Sequence, residues 1–351
     1  MQSSDIAIIG AGLAGLTCAR LLHEQGANVT LIEAAAQIGG RIQALRDETG
    51  KPLADLGPTW VWPPHQPVVA NWLGRLALAT FVQANDGDAV IEGYHPAPMR
   101  APLPGQDGML RIAGGPAAMV QAMGAGLPDA VVQLNRRITR IDVSGDRLIL
   151  TDHAGRQTGA SHVVLATPLR VAATTITIPD APAALITAMR ATPTWMAGQA
   201  KAVMLYDRPF WREQDLSGRI ASRIGPLAEV HDHSSIDGQA ALFGFVGWPP
   251  EARDPARLEA AIRAQLIRCL GPDAGHPRRI MIQDWARNPL ICTEADHDGA
   301  HPGHPPAILH QPHLDGRLHI AVSETSSLSP GLIEGALDAG QNAAQAILTR
   351  H

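Results

Sequence analysis

"DIAIIGAGLAGLTCARLLHEQGANVTLIE", residues 5–33, decides the fold. "DIAIIG" is a short apolar run rich in Ile, the composition of a strand buried on both faces. "LAGLTCARLLHEQG" follows with helical apolar spacing and ends at Gly26, a residue suited to a helix C-cap. "NVTLIE" reads as a second strand. Gly10, Gly12 and Gly15 lie where the first strand turns into the helix. Gly10 permits the tight turn, Gly12 lets the backbone approach a pyrophosphate, and Gly15 lets the helix pack on its strand. The helix N-terminus then offers N–H donors and a positive dipole end to phosphates. Glu33, 18 residues beyond Gly15, is placed to accept hydrogen bonds from ribose hydroxyls and would repel a ribose phosphate. In this strand–turn–helix–strand setting, the glycines predict a dinucleotide site rather than a chance Gly-rich turn. Gly39-Gly40-Arg41 comes a few residues later. Its glycines again allow close approach, and Arg41 offers a fork for phosphate oxygens.

Working outward, residues 112–126 open on a Gly pair and continue as a helix. Segments 131–134, 137–143 and 147–151 alternate with turn residues and predict a meander. "HVVLATP" (162–168) is another buried strand. From about 180 to 300 the texture changes. Strands are expected at 200–206 and 240–247, an amphipathic helix at 254–270 and a Trp-containing strand at 279–286. Residues 293–316 read as loop. The end returns to the first style, with a strand at 317–323 and a helix at 331–348. The first and last segments therefore form one domain interrupted by another. The expected assignment is 1–65, 108–180 and 300–351 to a dinucleotide domain, with 66–107 and 181–299 forming a substrate domain.

Lys201 stands out chemically. The chain has only two lysines, Lys51 and Lys201, against 26 arginines, so Arg serves where charge alone is wanted. Yet Lys201 sits in the apolar run "AGQAKAVMLY". A Lys is a thin, single-point donor whose pKa falls readily on burial, whereas Arg stays charged and presents a broad fork. The alternative is a Lys whose head reaches solvent from a strand edge.

Taken together, "IIGAGLAGLTCARLL", "IEAAAQIGGRI", "DLGPTWVWP", "RITRIDV", "HVVLATP", "KAVMLYDRPFW" and "VSETSSLSPGLIEGALDAGQNAAQAIL" resemble the flavin-containing amine oxidase family nearly end to end. The resemblance implies an α/β fold of p-hydroxybenzoate hydroxylase type: a discontinuous Rossmann-type FAD-binding domain plus a mixed-sheet α+β substrate domain. It implies FAD contacts from Glu324 and Thr325, and from Gly331, Leu332 and Ile333, where a helix N-terminus faces the isoalloxazine. It places Trp285 near the flavin, and a backbone contact near Val132, where plain packing is the other reading. Lys201 would hold a water at flavin N5.

The sequence also departs from that family. Two aromatic side chains usually align the amine; here one position is Leu332 and the other falls in Gly299-Ala300-His301. Some members attach the flavin through Cys at 299 or 300, so non-covalent FAD is expected. The cap region, 66–107, is short, which implies an open site or one closed by a second subunit of a homodimer. Trp60 and Trp62, in a Pro-rigidified loop, line the substrate cavity or simply pack. His301 is a candidate acid, base or substrate contact.

Bulk properties narrow the function classes. A net charge of −5 and the lack of a basic stripe argue against nucleic acid. Cys18, Cys269 and Cys292 make an odd set with no CxxC pair, which fits a reducing cytoplasm. No membrane span or C-terminal anchor is expected. The His-rich loop (His297, His301, His304, His310, His313) is interrupted by prolines and reads as solvated rather than metal-binding. The expected activity is FAD-dependent oxidation of a C–N bond in a small amine or amino-acid-like substrate, with O2 or another acceptor reoxidising the flavin. C–C desaturation and a non-catalytic FAD-binding subunit are the alternatives.

Overall fold

The computed structural model describes residues 2–105 and 107–349. Two seven-stranded sheets organise the chain. In the first, the strand order is Val132–Gln133, Val29–Ile32, Gln2–Ile9, Gln157–Leu165, Arg147–Asp152 and Ile138–Ser144, and Leu318–Ile320 also pairs with Gln157–Leu165. The central strands run parallel, while the Ile138–Ser144 and Arg147–Asp152 hairpin is antiparallel. Gln157–Leu165 is longer than the sequence suggests. Its first half pairs with the hairpin and its second half with Leu318–Ile320.

Burial on both faces explains the continuous apolar run of the first strand. Ile6 and Ile8 pack under helices Leu13–Glu24 and Ile333–Leu348 together with Leu16 and Leu337. Ala7 and Ile9 face the opposite layer with Leu169, Leu185 and Met189. The first and last helices touch closely: a Cβ on Gly340 would lie 2.4 Å from the Ala14 carbonyl oxygen.

The second sheet runs Arg279–Asp284, Ala200–Tyr206, Ala240–Val246, Leu227–Asp232, Leu216–Ser222, Asp88–Glu92 and Met99–Ala101. Ala200–Tyr206 is buried throughout. Ala200, Ala202, Met204 and Tyr206 pack with Leu258, Ile262 and Leu266 of helix Pro255–Leu270. Val203 and Leu205 turn the other way, onto Leu45, Ala54, Leu56 and Phe243. Period-2 alternation therefore puts Lys201 on the face toward residues 45–60. Helix Pro255–Leu270 begins where Asp254 accepts from the Arg257 N–H at 2.9 Å, with Pro255 following.

The outer strands Leu216–Ser222, Leu227–Asp232, Asp88–Glu92 and Met99–Ala101 carry no strong signal in the sequence. The strand expected at 279–286 stops at Asp284, whose side chain accepts from Ala286 N–H and starts a short 3-10 turn through Trp285. A separate two-stranded ribbon, Ala44–Arg46 with Pro52–Asp55, meets the second sheet in part through the Asp55 N–H, which donates to His233 Nε2 at 3.0 Å. Burial pushes the His233 imidazole down to about 4, with Arg111 acting in the same direction, so it is neutral at pH 7. Among the described residues, no helix is long and apolar enough to cross a membrane.

Candidate active site

One cavity of about 540 Å³ runs from the first Gly-rich turn to the cavity face of the second sheet. Gly10 (φ +104°) has no room for a side chain, since a Cβ there would sit 2.5 Å from the Ala166 carbonyl oxygen. At Gly15 a Cβ would lie 2.0 Å from the Gly10 carbonyl oxygen, so the helix seats directly on the turn. Nothing lies within 4 Å of a Cβ built on Gly12, which lines the cavity at the start of helix Leu13–Glu24. Gly39 donates its N–H to the Ala11 carbonyl at 2.8 Å, bringing the second glycine pair against the first. Glu33 lines the same cavity; its two oxygens accept from Ala11 N–H and Ala35 N–H, both at 2.7 Å.

Arg41 also lines the cavity, but its fork is engaged within the protein. It donates to both Glu324 oxygens (2.6 and 3.1 Å), to Ser323 Oγ (2.9 Å) and to the Trp195 carbonyl (2.9 Å). Burial would raise the Glu324 carboxyl; the Arg41 charge and hydrogen bonds outweigh it and hold the group below the usual carboxylate range. Glu324 thus organises Arg41 from behind the cavity wall. Thr325 is buried and hydrogen-bonds to the Val322 carbonyl, also away from the cavity. Val132 pairs with Leu31 in the first sheet and does not reach the cavity lining.

At the other end, Lys201 Nζ donates to the Gly57 carbonyl at 2.7 Å. Burial pushes its ammonium down to about 8, opposed by the Asp55 charge. The head of this Lys lies inside the protein, so the solvent-reaching reading fails: the residue is 5 % exposed. The rings of Phe245 and Phe243 lie 5.0 and 5.5 Å from Nζ. Gly57 is itself confined, since a Cβ there would be 2.1 Å from the Arg41 carbonyl oxygen.

Trp60, Trp62 and Trp285 all line the cavity. Trp60 Nε1 donates to Gln83 Oε1 at 2.8 Å, and its ring lies 6.1 Å from Phe245. Trp285 Nε1 donates to the Leu56 carbonyl at 3.1 Å. Gly331 (φ +80°), Leu332 and Ile333 line it where helix Ile333–Leu348 begins, and Leu332 is partly exposed. His301 is exposed; its ring meets Trp195 edge-on at 4.6 Å, and it is outside the lining. The residues that sequence reasoning missed are Phe245, Gln283 and Trp195, with the Gly57 carbonyl. They meet through strand pairing and loop return, so no local pattern marks them.

The donor set fits a flavin dinucleotide. The glycine turns leave open backbone at a helix N-terminus, and Thr167 Oγ1 is buried in the lining without a hydrogen-bond partner. Among the described residues, no group of three or more His, Cys, Asp or Glu side chains could hold a metal ion.

The chain is similar to known proteins over most of its length. Residues 99–348 match the family model for flavin containing amine oxidoreductase, and residues 8–76 match that for an NAD(P)-binding Rossmann-like domain. Amine oxidase [flavin-containing] B of Sus scrofa is 24% identical over 458 aligned positions, covering 98% of this chain and 86% of that protein. That alignment is longer than this chain, so the relative holds stretches with no counterpart here. Among solved structures, cyclohexylamine oxidase from Brevibacterium oxydans IH-35A superposes with a TM-score of 0.84 at 21% identity, covering 99% of both chains. A wild-type putrescine oxidase bound to putrescine gives 0.82 at 19%, again covering 99% of both.

Proposed function

The chain belongs to the flavin-containing amine oxidoreductase family, and from that premise we propose that it oxidises the C–N bond of a small amine or amino-acid-like molecule with non-covalently held FAD. When bound, the flavin would supply the electron sink for oxidising the carbon that bears the nitrogen to the imine level, with water as the nucleophile that would release the product and O2 as the acceptor that would leave as H2O2. The remaining work falls to the protein. The glycine turns and the N-terminus of helix Leu13–Glu24 hold phosphates, and Glu33 holds the ribose. Trp60, Phe245 and Trp285 exclude water and orient the carbon skeleton. Lys201 keeps one N–H on Gly57 and holds a water with the rest of its head.

The observation that carries this reading is Lys201. A buried amine, lowered to about 8 and fixed on a backbone carbonyl, lies in the wall of the cavity that holds the glycine cradle. Burying such a group is costly for stability alone and matches a catalytic role. Anaerobic mixing of the flavin-loaded protein with a panel of amines tests the proposal. Bleaching of the flavin absorbance is expected. A flavin that no amine bleaches, but that an alkane-to-alkene substrate reduces, replaces it with C–C desaturation.

A further inference from the structure

Cross-strand register places a second polar side chain beside Lys201. In the antiparallel pairing, Lys201 lies opposite Gln283 on one side and Phe245 on the other. Side chains so opposed stand about 4.5–5.5 Å apart at Cβ and share a face. Their neighbours confirm which face. Met281 and Val203 pack with Phe243, on the Lys201 side, whereas Ile282 packs with the opposite cluster. Gln283, Lys201 and Phe245 therefore form a row across three strands, and all three line the cavity. The Gln283 amide is half-buried and has no hydrogen-bond partner among the described residues.

The wall around this row carries Trp60, Trp62, Trp285 and Leu332, with Thr59, Gln66 and Asn288 as further uncharged polar residues in the lining. Among the described residues that line the cavity, Glu33 is the only acid, and each of its oxygens already accepts a backbone N–H. The lining cations are Lys201, Arg41, Arg136 and Arg137. A second ammonium on a substrate would enter this space with no counter-ion, and an unpaired buried charge is strongly disfavoured. A neutral amide, by contrast, can accept an N–H without demanding a charge.

We propose that Gln283 is the polar anchor of this chamber: its amide carbonyl accepts an N–H of the reacting amine, and the surrounding rings select a monoamine with an apolar skeleton over a diamine. This rests on the amine-oxidising reading above.

Two probes and one dead-end analogue test it on the flavin-loaded protein. Cyclohexylamine represents the apolar monoamine and putrescine the diamine. 1-Methylcyclohexylamine lacks hydrogen on the carbon bearing nitrogen, so it binds without being oxidised and its dissociation constant is read by calorimetry. Cyclohexylamine is expected to exceed putrescine in kcat/KM by about a hundredfold. Gln283→Met should raise KM for cyclohexylamine and the dissociation constant of the analogue by about tenfold, the worth of one hydrogen bond. Flavin content and melting temperature should not move. Gln283→Glu should shift preference toward putrescine by about tenfold, which a merely structural role would not produce. Should Gln283→Met fail to fold, Gln283→Asn, which keeps the amide but withdraws it, should weaken the same two constants. Unchanged constants in these variants, or a wild type that takes putrescine equally well, overturn the anchor while the amine reading stands. A wild-type flavin bleached by no amine takes down both.

Discussion

The glycine-rich turn and the Lys201 row are the two ends of one cavity, and they are built on opposite principles. At the turn, function comes from the lack of side chains: Gly10, Gly12, Gly39 and Gly40 line the cavity with backbone, Gly15 lets the helix seat on the turn, and all five lie within one short reach of sequence. At the row, function comes from side chains brought together by register, with Lys201, Phe245 and Gln283 far apart in the chain and Trp60 arriving from the short strand Trp60–Val61 of another sheet, where a loop was expected. At Gly10, Gly15 and Gly39 the first end has no room for an added atom, whereas Gly12 opens onto the cavity. The second tolerates substitution but loses chemistry.

The largest effect should follow from filling the turn. Gly15→Val puts a side chain where even a Cβ meets a backbone oxygen at 2.0 Å. The variant should purify without flavin, read as loss of 450 nm absorbance relative to 280 nm. A yellow Gly15→Val protein would break the claim that this end works by having no side chains.

Arg41→Met comes next, because it leaves Glu324 buried without its partner. A loss of about 3–5 kcal/mol is expected from thermal or denaturant unfolding. The sign with pH is specific. The depressed carboxyl of Glu324 contributes stability above its unfolded value of 4.5, and this is lost as pH falls through the folded value. In the variant, burial dominates and raises that carboxyl. Its deficit against wild type should therefore be fullest at pH 7 and narrow toward acid; a constant gap would assign the loss to packing instead.

Lys201→Met should be the mildest for the fold and strong for the chemistry. Flavin content should hold while its reduction by amine, or its reoxidation, slows by about a hundredfold in stopped-flow traces. Because burial lowers the ammonium from 10.5 to about 8, the charged form weakens the folded state at neutral pH. The Met variant should melt higher than wild type at pH 7. That margin should close as pH rises from about 8 toward 10.5. Wild-type rates in both half-reactions would remove Lys201 from the mechanism.

Legibility in the sequence follows the same division. The turn, its helix and Glu33 were readable because their contacts are local and glycine leaves an unambiguous mark. Arg41 was readable as a cavity residue, but not its attachment to Glu324, 283 residues away. Lys201 was visible through composition, an oddity among arginines. Its neighbours Gln283 and Phe245 were not, since which residue of a distant strand lies opposite Lys201 is set by the whole sheet. Trp285 was placed in a strand although Asp284 ends that strand by capping the next turn. His301 looked chemically apt, yet its loop leaves it exposed against Trp195.

Gly57 gives the two ends a common datum. Its carbonyl accepts from the head of Lys201, and a Cβ at this position would lie 2.1 Å from the Arg41 carbonyl oxygen. One residue thus touches both the Lys201 head and the segment that follows the second glycine pair. The same economy makes it a single point of failure. Any side chain at position 57 would displace Arg41 and withdraw the acceptor from Lys201 together, so one lesion would register both as weaker cofactor retention and as slower turnover.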